Sequence, residues 1–186
     1  MNTNQIFKLA LTLVAVLAIH QVKSQKLVDR NGQVAFEASE ALFEPVEAKN
    51  QSVTAVLDTQ SNEIASLALI KGFRFPNSLM EEHFNENYIE SETYPKATFK
   101  GQLMDFNIAE VTNEPQQVRV DGKLTLHGKE KVVDTYLTIG KTGDALIITG
   151  SFTVTPDDFD IAIPSIVKNK IAREVNVSLD FKMKAL

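Results

Sequence analysis

Strict alternation of apolar and polar residues in segment 172–184 constrains the fold of this chain more than any other feature. Its apolar residues are Val175, Val177, Leu179, Phe181 and Met183, with polar residues between them. Successive side chains of a β-strand point to opposite faces of the sheet. The segment therefore predicts a strand with one buried face and one solvated face.

The same pattern extends through much of the chain. Similar alternation occurs in residues 117–127 and 144–154, and less regular strands are predicted over 32–38, 46–58, 63–75, 97–106 and 131–139. The short links between them favour an antiparallel meander, because a parallel pair needs a long crossover. The polar faces carry acids and bases of both signs, so they belong in water and not in lipid. An all-β domain of about eight strands follows, either a closed barrel or a two-sheet sandwich.

Two short helical segments interrupt the predicted strands. Residues 77–89 place Leu79, Met80, His83, Phe84 and Tyr88 at helical spacing on one side. Residues 164–170 form the second predicted helix, with a proline at its start. Because helices this short are marginal alone, we expect them to dock on the barrel and cap one end.

The first 24 residues have the pattern of a signal peptide. A polar start with Lys8 precedes an apolar run over 9–19, which is shorter than the roughly 20 residues of a spanning helix. We expect cleavage after Ser24 and a single domain over 25–186, periplasmic or secreted; a retained anchor helix is the alternative. A chain without cysteine has no disulfide and no cysteine for lipid attachment.

Removal of residues 1–24 leaves 17 basic and 24 acidic residues, so the net charge becomes −7. An acidic surface disfavours nucleic acid as a partner. We expect no stable membrane anchor, and the sequence leaves open whether two chains pair as a homodimer.

Few residues are candidates for chemistry. Apart from His20 in the leader, the histidines are His83 and His127. A stable metal site needs three or four ligands, and a helix spreads Glu81, Glu82 and His83 around its circumference, so we predict no metal. His127 is predicted to be a solvent-exposed turn residue. Nucleotide-binding, serine-hydrolase and zinc-protease motifs are missing from the sequence, which favours a protein that is not an enzyme and needs no cofactor.

Three sequence blocks resemble the YceI-like family of lipid- and polyisoprenoid-binding proteins. They are His83-Phe84 followed by the YPKATF block of residues 94–99, the LTLHG block of residues 124–128, and the DFDI block of residues 158–161. The resemblance implies an antiparallel lipocalin-like β-barrel that holds a long apolar chain. An isoprenoid, an isoprenoid quinone or a fatty-acyl chain is the expected ligand.

Departures from the family pattern concern its charged residues. Glu81-Glu82 stands where an Arg-Asp pair is common, Asp160 stands in place of a glycine, and the Arg that often precedes the last block is missing. These differences point to a ligand head group of different charge or of no charge.

The implied ligand-binding residues lie on inward strand faces and on the first helix. They are Leu57, Phe73, Phe75, Leu79, His83, Phe84, Tyr88, Phe99, Leu124, Leu126, Leu137, Ile148, Phe152, Leu179 and Phe181. An eight-stranded barrel is at the size where side chains either fill the interior or leave room for one small ligand. The alternative functions are a structural or interaction β-domain with a filled core and, third, a lipid-modifying enzyme.

Overall fold

Eight antiparallel strands form a closed barrel in the computed structural model, which describes residues 26–40 and 43–186. The strands are β1 Lys26–Ser39, β2 Glu47–Asp58, β3 Glu63–Leu69, β4 Lys96–Leu103, β5 Gln116–Leu126, β6 Lys129–Thr142, β7 Ala145–Val154 and β8 Ile171–Ala185. Each strand pairs with the next, and β8 returns to β1, where Leu179 lies opposite Val34. This last pairing closes the barrel, so the prediction of an all-β barrel is confirmed and the sandwich is excluded.

Alternating side chains decide which face of each strand lies inside. In β8 the side chains of Phe181 and Met183 are buried, whereas Lys182 and Lys184 are exposed. In β5 Val118 and Val120 are buried and Arg119 is exposed. The apolar face therefore turns inward around the barrel, as the alternation predicted.

The connections between strands separate the barrel into two different ends. Residues 40, 43–46, 70–95, 127–128 and 155–170 lie at one end, which we call the open end. Residues 59–62, 104–115 and 143–144 lie at the other, the closed end. Long segments border the open end, and the 104–115 connection covers the closed end.

The first predicted helix is confirmed at the open end. Helix α1, Ser78–His83, continues into a single π-helical turn, Phe84–Tyr88. Asn77 caps it, because its side-chain oxygen accepts hydrogen bonds from the amides of Leu79 at 2.9 Å and Met80 at 3.4 Å. Glu81 holds the helix to the preceding segment, pairing with Arg74 at 2.7 Å and accepting from the amide of Phe75 at 3.1 Å.

The second predicted helix, residues 164–170, is wrong. That segment consists of turns whose hydrogen bonds join residues three apart, Val167 to Pro164 and Lys170 to Val167. Ile166 is 83% exposed and Val167 is only half-buried, so the segment buries too little apolar surface to stabilise a helix. A short 3-10 helix, Pro156–Phe159, lies earlier in the same connection.

The predicted signal peptide lies outside the described residues. Among residues 26–40 and 43–186, no helix combines the length and the apolar composition needed to cross a bilayer.

Candidate functional site: an apolar cavity in the open half of the barrel

The interior of the closed half of the barrel is a hydrophobic core. Large apolar side chains from several strands fill it, and Phe106 and Val111 of the 104–115 connection cover it from below. Leu57 and Ile148 belong to this core and are fully buried. The cavity lies next to this packed core, in the open half of the barrel.

Aromatic rings that lie against glycines form the floor of the cavity. The ring of Phe99 covers Gly101 and Gly122, which face each other across β4 and β5. A Cβ atom at Gly122 would lie 2.4 Å from this ring, and one at Gly32 would lie 2.4 Å from the ring of Phe181. The missing side chains therefore allow both rings to lie along the barrel wall, leaving space above them.

Above this floor the barrel is hollow. The cavity has a volume of about 470 Å³ and opens at the end that carries α1. Its walls are almost entirely aliphatic and aromatic, with contributions from every strand of the barrel. Representative lining residues are Val34, Ile64, Ala68, Ala97, Val120, Val133, Phe152, Val154, Val177 and Leu179.

Four phenylalanines form one side of the cavity near α1. The ring of Phe84 lies 5.4 Å from that of Phe36, 5.1 Å from that of Phe75 and 6.0 Å from that of Phe73. Offset and edge-on contacts at these separations favour aromatic packing. Phe84 thus joins α1 to the barrel and contributes to the cavity wall at the same time.

Polar groups are few around the cavity. Those that line it are Ser66, Thr98 and Thr135 on the strands, and Glu44, His83, Tyr88 and Lys170 in the connections at its opening. Such an interior suits an apolar chain and offers few charged partners for a head group.

His127 occupies a tight turn at the open end. With φ of 49° at His127 and 72° at Gly128, both residues of the β5–β6 turn are left-handed, the requirement of a type I′ hairpin. Its Nδ1 lies 2.8 Å from the carbonyl oxygen of Phe159, so this nitrogen carries the proton and donates. The ring also contacts Tyr94, at 4.3 Å between centroids. The expectation of a solvent-exposed residue is wrong because this packing half-buries the side chain.

Ion pairs hold the 3-10 turn of residues 156–159 to β6. Lys129 lies 2.6 Å from Asp160, and Lys131 lies 3.3 Å from Asp158. The hydrogen bond from Lys129 lowers the pKa of Asp160, and the same contact raises the pKa of Lys129. Phe159, between these acids, is buried and lines the cavity.

The structure brings most of the sequence-predicted site residues together. Those that line the cavity are Phe73, Phe75, His83, Phe84, Tyr88, Phe99, Leu124, Leu126, Leu137, Phe152, Leu179 and Phe181. Three others lie elsewhere. Leu57 and Ile148 are in the packed closed half, and Leu79 is 55% exposed on the solvent side of α1.

A second apolar cluster lies at the open end and was not predicted from the sequence. Its buried members are Ile70, Ile89, Phe159 and Ile161, and all of them line the cavity. They come from connections and not from strands, so strand alternation gave no signal for them. The alternate spacing of Phe159, Ile161 and Ile163 is a local signal that could have found part of this cluster.

The chain matches a known protein family over most of its length. A family model described as the YceI-like domain matches residues 20–183. No curated protein matches the chain.

Solved structures share the fold at low sequence identity. A polyisoprenoid binding domain from Saccharophagus degradans, implicated in plant cell wall breakdown, is 17% identical with a TM-score of 0.77, covering 88% of this chain and 100% of that one. Burkholderia cenocepacia BcnA is 18% identical with a TM-score of 0.68, covering 83% and 98%. The Campylobacter jejuni YCEI protein is 16% identical with a TM-score of 0.56, covering 77% and 88%.

Proposed function

This chain belongs to the YceI-like family, and from that premise we propose that it is a non-catalytic carrier for a long apolar chain. The ligand is an isoprenoid, an isoprenoid quinone or a fatty-acyl chain held in the barrel. We further propose that the protein is periplasmic or secreted, on the strength of the signal-peptide pattern in residues 1–24.

The hollow open half is the observation that carries this proposal. Its volume of about 470 Å³ lies within the usual range of small-molecule sites. Each methylene moved from water into such a cavity contributes about 0.8 kcal/mol, so a chain of roughly ten carbons offsets the cost of ordering the ligand. A structural domain with a filled core would not leave this space.

The cavity interior favours a ligand head that carries little or no charge, since the ionisable lining groups Glu44, His83 and Lys170 lie near its opening. Glu81, one of the acidic residues that replace the basic-acidic pair of the family pattern, bonds to Arg74 and to the amide of Phe75. It supports α1 and does not face the cavity. A quinone, an isoprenoid alcohol or another weakly polar end fits this lining better than a phosphorylated end does.

Mass spectrometry of lipid extracted from the purified protein tests the proposal directly. We expect one class of long-chain apolar lipid in an amount comparable to that of the protein. Protein that carries no lipid, and that also takes up none when mixed with isoprenoid or fatty-acid ligands, would refute the carrier function.

A cavity-filling variant separates binding from folding. Ala97→Phe places a ring in the cavity, since Ala97 lies inward on β4 and lines it. Ala65→Phe is the matched control, because Ala65 lies on the outward side of β3 between inward Ile64 and Ser66. We expect Ala97→Phe to lose bound lipid and Ala65→Phe to keep it. Equal lipid content in both variants would contradict the assignment of the ligand to this cavity.

A further inference from the structure

The seam between β6 and β7 is paired over only part of its length. Backbone pairing runs from Thr142 opposite Ala145 to Leu137 opposite Gly150 and stops there. Beyond that point residues 129–136 pair with β5, and residues 151–154 pair with β8. Within the described chain, two strand edges therefore face each other in the open half without a hydrogen-bonded ladder between them.

This gap separates the cavity from solvent by a single layer of side chains. Val133 and Thr135 of β6 and Phe152 and Val154 of β7 line the cavity. The same four residues border a polar crevice on the outer surface of the barrel. The cavity and the crevice therefore share these side chains where the ladder is missing.

Only side-chain contacts bridge the gap in the described structure. The hydroxyl of Thr135 donates to the carbonyl oxygen of Ser151 at 3.0 Å. Lys131 lies 3.3 Å from Asp158, and both side chains are about half exposed. Lys129 and Asp160 also pair at 2.6 Å at the outer end of the gap. Exposed ion pairs contribute little to stability, and separating the two edges breaks no backbone ladder.

The other short seam of the barrel is reinforced differently. β2 and β3 pair only from Thr54 to Leu57, but above that point the backbones of Lys49 and Arg74 exchange hydrogen bonds of 3.1 and 2.8 Å. The buried side chain of Asn50 also donates to the carbonyl oxygen of Leu69 at 2.9 Å. Backbone bonds thus close that seam, which leaves the one between β6 and β7 as the weaker part of the wall.

We propose that the seam between β6 and β7 is a side portal through which a linear apolar chain enters and leaves the cavity. This inference rests on the proposed function. Parting of the two edges opens a slot, and a slot admits an extended isoprenoid or acyl chain more readily than a broad ring system. The polar crevice outside accommodates the polar end of the ligand while its chain lies in the cavity.

Cross-linking the β6 and β7 edges of the crevice tests the portal. The chain has no cysteine, so the double variant Val132→Cys/Thr153→Cys reacts with a short bis-maleimide only at the two residues that border the crevice. The matched control is Lys123→Cys/Val132→Cys, because these residues face each other across the fully paired β5–β6 seam. The probe is cis-parinaric acid, whose release to phosphatidylcholine vesicles is followed by stopped-flow fluorescence.

We expect release from the β6–β7 linked protein to be slower by about tenfold or more, with the amount bound at equilibrium unchanged. The β5–β6 linked control is expected to release the probe at the wild-type rate. Equal rates in both linked proteins, or equal slowing in both, would overturn the portal. Wild-type protein that binds neither this probe nor an isoprenoid would instead refute the proposed function and, with it, the portal.

Single substitutions test the same seam without a cross-link. Lys131→Ala removes the contact with Asp158 across the gap. Lys123→Ala removes a 2.7 Å pair with Glu130 across the fully paired β5–β6 seam. We expect faster probe release from Lys131→Ala alone, by at most about fivefold, because an exposed pair contributes little. Identical release from the two variants would count against a portal between β6 and β7.

Discussion

Asp160 combines an unfavourable backbone conformation with a favourable charge contact. Its φ of 55° and ψ of 31° are left-handed, a region that costs a residue with a Cβ atom about 1–2 kcal/mol and that Asp tolerates better than most residues do. Glycine at this position in the family pattern is explained by the same conformation. The sequence showed the replacement, but the reason for glycine depends on a dihedral angle that no side-chain pattern reveals.

Substitutions at Asp160 should separate the backbone effect from the charge effect. Asp160→Gly relieves the left-handed strain but loses the contact with Lys129, so we expect the free energy of unfolding to change by less than about 1 kcal/mol. Asp160→Val keeps the strain and adds a β-branched side chain, so we expect a loss of about 1–2 kcal/mol. Urea unfolding measures both; equal losses would show that the backbone conformation is not what matters.

The glycines beneath the ring of Phe99 at the cavity floor give a second prediction for single residues. Gly122→Ala forces the ring of Phe99 upward, because the new Cβ would lie 2.4 Å from it and 2.6 Å from the carbonyl oxygen of Lys100. We expect a loss of about 1–3 kcal/mol in stability together with weaker binding of cis-parinaric acid. Gly143→Ala is the control, since nothing lies within 4 Å of its Cβ position and its φ of 61° adds only strain. That control should lose stability without losing affinity.

Among whole elements, the sequence predicted those with a repeating pattern. Period-two alternation located the strands because it reports which side chains lie inside. The helical spacing of apolar residues in 77–89 located α1. The segment 164–170 has no cap and buries little apolar surface, and its single proline was an insufficient signal for a helix. The Asp157-Asp158 pair is typical of a turn, but the contacts of this 3-10 turn with His127 and β6 are tertiary, and a local pattern does not contain them.

The 156–160 turn should show a simple dependence on pH. The pKa of Asp160 is lowered below its unfolded value of about 3.9, so its contribution is present above that value and is lost as pH falls through the folded pKa. The pKa of Lys129 is raised above about 10.4, so its contribution is present below that value and is lost as pH rises through the folded pKa. We expect exchange protection of the Ile161 amide, which donates to Pro156 at 3.1 Å, to be constant between these limits and to fall in stronger acid.

Lys129→Ala is the control for this dependence. Without the lysine, Asp160 loses the main cause of its lowered pKa, and the acid-dependent fall in protection should disappear. A fall of the same size in the variant would assign the effect to other carboxylates.

The molecule as a whole divides stability and ligand space between the two ends of one barrel. The closed half is packed by residues such as Leu57, Ile148 and Met183, with the 104–115 connection beneath them. The open half is hollow because glycines allow the rings of Phe99 and Phe181 to lie along the barrel wall. Alternation predicted which residues face inward, but the volume of the interior depends on how rings lie and on where a connection covers an end. For this reason Leu57 and Ile148 were correctly placed inside and yet lie outside the cavity.

Binding in the open half should stabilise the entire barrel, since an unfolded chain has no cavity. With cis-parinaric acid free at about 100 times its dissociation constant, linkage adds about 2.7 kcal/mol to the free energy of unfolding. For a domain of this size each kcal/mol raises the melting temperature by roughly 2–4 °C. We expect the delipidated wild type and Ala65→Phe to show this increase in calorimetry, and Ala97→Phe to show a much smaller one because the added ring takes up part of the cavity. An equal increase in Ala97→Phe would mean that the probe binds somewhere other than the cavity, since a ring at that position leaves the closed half and the outer surface unchanged.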